Sequence, residues 1–257
     1  MNGLVQGLSA AMSSFDPTAF GALAAIIFVS AFVQGMVGFA FGMISMGFAS
    51  LVLDAKTASF LVSPLAALNI ALTLWSVRGE VRFPIVAPMV AGALVGMPVG
   101  VAILLAGSVF LIKVMVSVLL VCVGVTRLLP GGVPVHPLPY WWGGVAGFGT
   151  GVIGGATNMG GPPLIAYAAR QPWPPALFKA ALLTTFLFST TGKTLLLMWE
   201  GSLNRTLLAL TVLLAPVVVV GSLAGIRLFD RIDRAVFGKI VAVMLVGLGV
   251  WVMVHGK

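Results

Sequence analysis

Charge is what this chain has least of. Asp, Glu, Lys and Arg together make up 8% of its 257 residues, where a soluble domain carries about 25%. So few charges cannot cover a water-facing surface, which excludes an ordinary soluble domain. Acids are scarcest: Asp16, Asp54, Glu80, Glu200, Asp230 and Asp233 all fall in loops or at the ends of predicted helices. That argues against a buried carboxylate relay of the kind many proton pumps use. His136 lies in a linker and His255 near the C-terminus, too far apart for a metal cluster or an acid–base pair. The single Cys122, in the run VSVLLVCVGV, cannot form an intrachain disulfide and reads as a small packing residue. There is no P-loop run of Gly, Lys and Ser, hence no nucleotide site of that type. These absences leave almost no side chains for enzymatic chemistry, so no enzyme, no catalytic residue, no metal and no cofactor are expected.

What the chain has in abundance is apolar length. Hydrophobic residues make up 60% of the sequence and the mean hydropathy is +1.16, so the lipid bilayer is the solvent to reason with. The net charge of +8 comes from 14 Lys and Arg scattered singly between apolar runs. That scatter does not form a nucleic-acid patch and fits the positive-inside bias of membrane proteins, to which an anionic ligand can add. The first eighteen residues contain no Lys or Arg, whereas a cleaved signal needs a basic start; residues 1–18 read as an uncleaved N-terminal tail.

A spanning helix needs about 20 residues, and the apolar runs predict helices near 19–34, 40–53, 57–77, 83–105 and 108–128. After the Pro/Gly-rich linker LPGGVPVHPLP at 129–139, helices are predicted near 140–153, 158–170, 175–198, 206–228 and 234–254. The two sets of five resemble each other, as repeat 1 over 19–128 and repeat 2 over 140–257. The segment from Gln34 to Gly38 aligns with Thr150 to Gly154, 116 positions later. Trp75 matches Trp199, each just before a polar loop; Pro88, Gly92 and Gly96 match Pro216, Gly221 and Gly225; Lys113 matches Lys239. Matching punctuation in a fixed order points to duplication.

Each half opens on a pair of elements broken by glycine, which reads either as one interrupted helix or as a hairpin of two short ones. Loop charge separates the readings. With hairpins, nine Lys and Arg fall on one side of the membrane and five on the other; with continuous crossings the split is six to eight. Basic residues concentrate on the cytoplasmic side, so the hairpin reading is preferred. Five elements per half then make the repeats inverted. The expected fold is an all-α polytopic membrane protein of two inverted repeats, each opening with a Gly-rich helical hairpin, with about 8–10 transmembrane segments.

Chemistry is expected at GFGTGVIGGATNMGGPPLIAYAAR, residues 147–170. Glycine weakens a helix by about 1 kcal/mol per position relative to Ala, and Pro162 and Pro163 each remove a backbone donor. Lipid does not tolerate the freed polar groups, so such backbone must be buried in protein or line a wet cavity. Broken helix ends also offer free N–H groups and partial positive charge to an anion. Small residues equally serve close helix packing, but six Gly in thirteen residues, interspersed with polar side chains, favour a ligand site. The candidate substrate-binding residues here are Thr150, Gly151, Gly154, Gly155, Thr157, Asn158, Gly160, Gly161 and Pro162. The first-half counterpart, VQGMVGFAFGMISMG, is poorer and has no proline; Gln34, Gly35, Gly38 and Ser45 are its candidates, with packing an equal alternative. Ser63, Asn69 and a Thr/Ser row that includes Thr185 and Ser189 lie inside helices; Thr185 and Ser189 join the candidates, though back-bonding to the helix is the commoner fate of such residues. Lys193 joins them too: an ionisable residue in a membrane helix is by default functional, although one six residues before Trp199 could snorkel to the interface.

At these residues the chain resembles the TauE/SafE (sulfite exporter, TSUP) family. The resemblance rests on GTGVIGGATNMGGPPLIAYAAR, on FKAALLTTFLF after it, and on the weaker FVQGMVGFAFGMISMGFASLVL; it covers about residues 20–254. Its more specific features are the GGPP element and Lys179 downstream. The resemblance implies a multi-pass protein of the bacterial inner membrane that moves small anions such as sulfite, sulfoacetate or other organosulfur compounds. Family members have about eight spanning helices, fewer than the ten elements counted here, and the first-half motif lacks the family's glycine run and proline. The leading expectation is a secondary transporter for a small anion, sulfite or an organosulfonate; a passive anion channel and a carrier of a non-sulfur organic anion stay open. The expected partners are the anionic substrate and the lipid bilayer, not nucleic acid, and a homodimer is compatible with the sequence.

Overall fold

The computed structural model describes residues 17–128, 137–228 and part of 243–254. Most of the N-terminal tail, most of the linker and the first part of the last predicted helix lie outside the described residues. The described chain is helical, without a strand: α1 (Pro17–Val37), α2 (Phe41–Val52), α3 (Ala55–Trp75), α4 (Phe83–Ala106), α5 (Val109–Leu128), α6 (Tyr140–Thr157), α7 (Gly161–Ala168), α8 (Pro175–Trp199) and α9 (Arg205–Leu228). The described residues between 243 and 254 are also helical. Among the described residues, α1, α3, α4, α8 and α9 are long and apolar enough to cross a membrane, while α2 is a shorter apolar helix.

The helix ends follow from local chemistry. Asp54 accepts hydrogen bonds from the amides of Lys56 (3.1 Å) and Thr57 (3.0 Å) and so caps α3. Ser108 does this for α5 through Leu111 N at 3.1 Å, and Asn204 for α9 through Leu207 N at 2.8 Å. These are the residue types that satisfy the orphan amides of a first turn. Pro84 and Pro175 stand in the first turns of α4 and α8, where a missing N–H is harmless. Trp75 and Trp199 are largely exposed at the ends of α3 and α8, and the Arg78 guanidinium stacks 3.7 Å from the Trp75 ring centroid. Exposed Trp and Arg at helix ends suit the headgroup layer.

Two helix pairs frame the molecule, α4 with α6 and α9 with α1. Both are zipped by glycine. A Cβ on Gly92, Gly96 or Gly100 of α4 would lie 2.0–2.2 Å from carbonyl oxygens of Gly144, Phe148 and Val152 on α6. On α9, a Cβ on Gly225 would lie 2.1 Å from Phe32 O of α1, and one on Gly221 2.8 Å from Phe28 O. Without a hydrophobic effect between helices in lipid, close backbone approach through small residues is a main source of association. Between the pairs, α3 and α8 pack on each other, α3 also against α9 and α8 also against α4.

Candidate functional site

The two glycine-rich breaks fix the site. At the first, Gly38 takes φ +92, a left-handed conformation natural to glycine, and its amide donates to Gln34 O at 2.7 Å. The Gln34 side chain then crosses the break: Oε1 accepts from Phe41 N at 2.7 Å, satisfying the first amide of α2. Lys179, on α8, donates from Nζ to Gly35 O at 3.2 Å, meeting a carbonyl in the last turn of α1 that has no partner within its helix.

At the second break, Asn158 ends α6 with φ 61 and ψ 11, and its amide donates to Gly154 O at 2.8 Å; asparagine tolerates this conformation better than most residues. After Met159 and Gly160, α7 opens on Gly161 with Pro162 and Pro163 in its first turn. The chain doubles back here. A Cβ on Gly160 would lie 2.5 Å from Thr150 O, and one on Gly149 3.3 Å from Pro163 Cβ, so α7 folds onto α6 as a hairpin.

The two tips touch. A Cβ on Gly42, in the first turn of α2, would lie 1.9 Å from Asn158 O, and one on Gly161 3.0 Å from Met43 Cε. Between them is a cavity of about 40 Å³ lined by both breaks and by α3 and α8, room for only a few water-sized groups. Its wall includes Gln34, Gly42, Thr150, Gly154, Asn158, Gly160, Gly161, Ser189 and Thr190, with apolar surface from Phe39, Phe41, Met43, Ala66, Ile70, Met159 and Phe186. Two of these residues carry buried polar atoms without a partner, Gln34 Nε2 and Thr150 Oγ1. Orphaned buried donors are rare and costly, at about 1–3 kcal/mol each. Gly160 and Gly161 add amides that precede or open α7 and so lack an acceptor within it.

Of the residues singled out from sequence, Gln34, Thr150, Gly154, Asn158, Gly160, Gly161 and Ser189 line this cavity. The others stand elsewhere. Gly35 packs on Ser222 O of α9, while Gly151 and Gly155 pack on Ala93 O and Met97 O of α4. Gly38 shapes the first turn and Pro162 the start of α7. Ser45, Thr157 and Thr185 donate back to Phe41 O, Ile153 O and Ala181 O within their own helices.

Lys193 does not snorkel: it is 1% exposed, and it stands behind the cavity rather than among the residues that line it. Its Nζ donates to Ser59 Oγ (2.9 Å), Asn158 Oδ1 (2.9 Å) and Gly154 O (3.3 Å), immediately behind the cavity wall. The same cluster holds Asn158 from two further directions: Asn158 Nδ2 donates to Ser59 O at 2.9 Å, and Ser63 Oγ donates to Asn158 Oδ1 at 3.0 Å. Ser59 was not legible as a site residue; its only signal is the four-residue spacing to Ser63 on α3. The apolar lining left no trace in a sequence where apolar residues are the background.

A model of the sulfite exporter TauE/SafE family matches residues 23–252. A probable sulfite/organosulfonate exporter TauE from Cupriavidus necator is 28% identical over 240 residues, covering 90% of this chain and 92% of the relative. No solved structure matches.

Proposed function

Because this chain belongs to the sulfite exporter TauE/SafE family of anion transporters, we propose that it is a secondary carrier of sulfite or a small organosulfonate such as sulfoacetate. Its place is the cytoplasmic membrane, the inner membrane of a bacterial cell, and its substrate sits in the cavity between the two hairpin tips. One observation carries the assignment: Gln34 Nε2 and Thr150 Oγ1, from different halves of the chain, are both buried without a partner on one cavity wall. An oxyanion supplies the acceptors these donors lack, and the amides at the start of α7 add partial positive charge. The cavity's small volume of about 40 Å³ favours a compact anion such as sulfite over a long-tailed sulfonate in this conformation.

The two-repeat organisation supports the same reading. Gly92 and Gly96 of α4 pack on α6, and their matches Gly221 and Gly225 of α9 pack on α1. Each half thus lends its fourth helical element to the opening helix of the other, as two repeats related by a pseudo-two-fold axis would.

Binding measured as sulfite-dependent thermal stabilisation tests the site. Thr150→Val removes the free hydroxyl while keeping the shape, and Gln34→Glu keeps the acceptor for Phe41 N while placing negative charge in the cavity. Both variants are expected to bind sulfite at least ~10-fold more weakly, since a hydrogen bond to a charged group contributes about 1.5–3 kcal/mol. Wild-type affinity in both would overturn the assignment.

A further inference from the structure

Lys193 stands out as a buried amine with no counter-ion among the described residues. It lies three-quarters of the way along α8, buried, and its amine reaches inward to three acceptors on two segments, Ser59 of α3 and Gly154 and Asn158 at the end of α6. All three acceptors are uncharged: a serine hydroxyl, a backbone carbonyl and an asparagine carbonyl. Among the described residues no carboxylate comes within ion-pair distance, and the carboxylate at the start of α3, Asp54, is engaged in capping that helix. A charge within the membrane is ordinarily paired, and removing one partner of a buried pair is strongly destabilising. Two of the acceptors, Gly154 and Asn158, are also cavity-wall residues. The ammonium is therefore one residue layer from the cavity.

The geometry points to Lys193 as a positioning residue that carries its positive charge opposite the transported anion, acting through Asn158 and Gly154. This rests on the cavity assignment above. Asn158 is polarised by the ammonium at Oδ1 and by Ser63 at the same atom, while its backbone forms the left-handed turn on which the second hairpin pivots. An empty site leaves the charge uncompensated; an anion in the cavity supplies its partner across low-dielectric protein, where such attraction is strong. The substrate preference that follows is for charge as well as shape: a dianion gains more than a monoanion from the same ammonium. Sulfite as its dianion is the better ligand than an alkyl sulfonate by this term alone.

The test compares two anions just above neutral pH, sulfite, there mostly a dianion, and methanesulfonate, a monoanion, by direct binding to the purified protein. Lys193→Gln keeps donors at this position but removes the charge. It is expected to weaken sulfite about 10-fold or more and methanesulfonate only about 3-fold, as the Coulomb energy scales with ligand charge. Lys193→Arg restores the sulfite preference. Equal weakening of both anions would mean that Lys193 merely holds the fold, and would overturn the inference. Should neither substitution fold, Ser59→Asp leaves Lys193 in place and gives it a resident carboxylate outside the cavity lining. That variant is expected to lose the dianion preference, and a retained preference refutes the proposal. Thr150→Val separates the failures: if it weakens sulfite while the Lys193 variants do not, the cavity stands and only the counter-charge falls.

Discussion

Gly42 shows how much one missing carbon decides. The carbonyl of Asn158 occupies the space where its Cβ would sit, 1.9 Å away, so the first break can approach the second only because this residue is glycine. Gly42→Ala must push the two tips apart; overpacking of this kind costs about 1–3 kcal/mol. A fall in the thermal midpoint together with weaker sulfite binding is the expected result, and an unchanged protein would contradict the contact. At this scale the sequence was partly readable. Thr150 and Asn158 were conspicuous as polar residues within a glycine run, and Gln34 as their counterpart beside Gly35. Lys193 was visible as an intramembrane charge, but its direction depends on α8's rotation against α3 and α6, which no local pattern encodes. Ser59 offered only its four-residue spacing to Ser63, and a serine in a membrane helix ordinarily bonds to its own backbone.

Helices were legible to within a few residues because apolar length and punctuation set their limits. The run predicted at 83–105 is α4, Phe83–Ala106, and that at 175–198 is α8, Pro175–Trp199. The element expected at 158–170 is shorter, Gly161–Ala168, because Asn158 to Gly160 form the turn rather than the first helical residues. What the pattern did not resolve is which glycines pack and which bind. Gly151 and Gly154 are three residues apart, yet the first faces Ala93 O of α4 and the second lines the cavity; helix rotation separates them. The packing role yields a prediction with a sign contrast. Gly96→Ala would place a Cβ 2.2 Å from Phe148 O and should lower the thermal midpoint, at a cost of about 1–3 kcal/mol. Gly21→Ala, on α1 with nothing within 4 Å, should be neutral or stabilising by up to about 1 kcal/mol. Thermal unfolding of the two detergent-solubilised variants checks this; equal losses would mean the α4–α6 glycines do not set the packing distance.

For the molecule as a whole, composition alone placed the chain in a membrane, and the family match confirms an anion transporter. The glycines matched between the two halves of the sequence share a physical task, the reciprocal packing of α4 on α6 and α9 on α1. Their convergence on one cavity was not legible, since it depends on two chain reversals more than a hundred residues apart. A carrier that uses this cavity moves its anion in discrete, saturable turnovers, which labelled sulfite counterflow in proteoliposomes, wild type against Thr150→Val, can measure. Uptake is expected to saturate with external sulfite, to be stimulated by sulfite inside, and to fall at least ~10-fold in transport efficiency in the variant. Uptake that rises without saturation, or that is the same in both proteins, would contradict that reading.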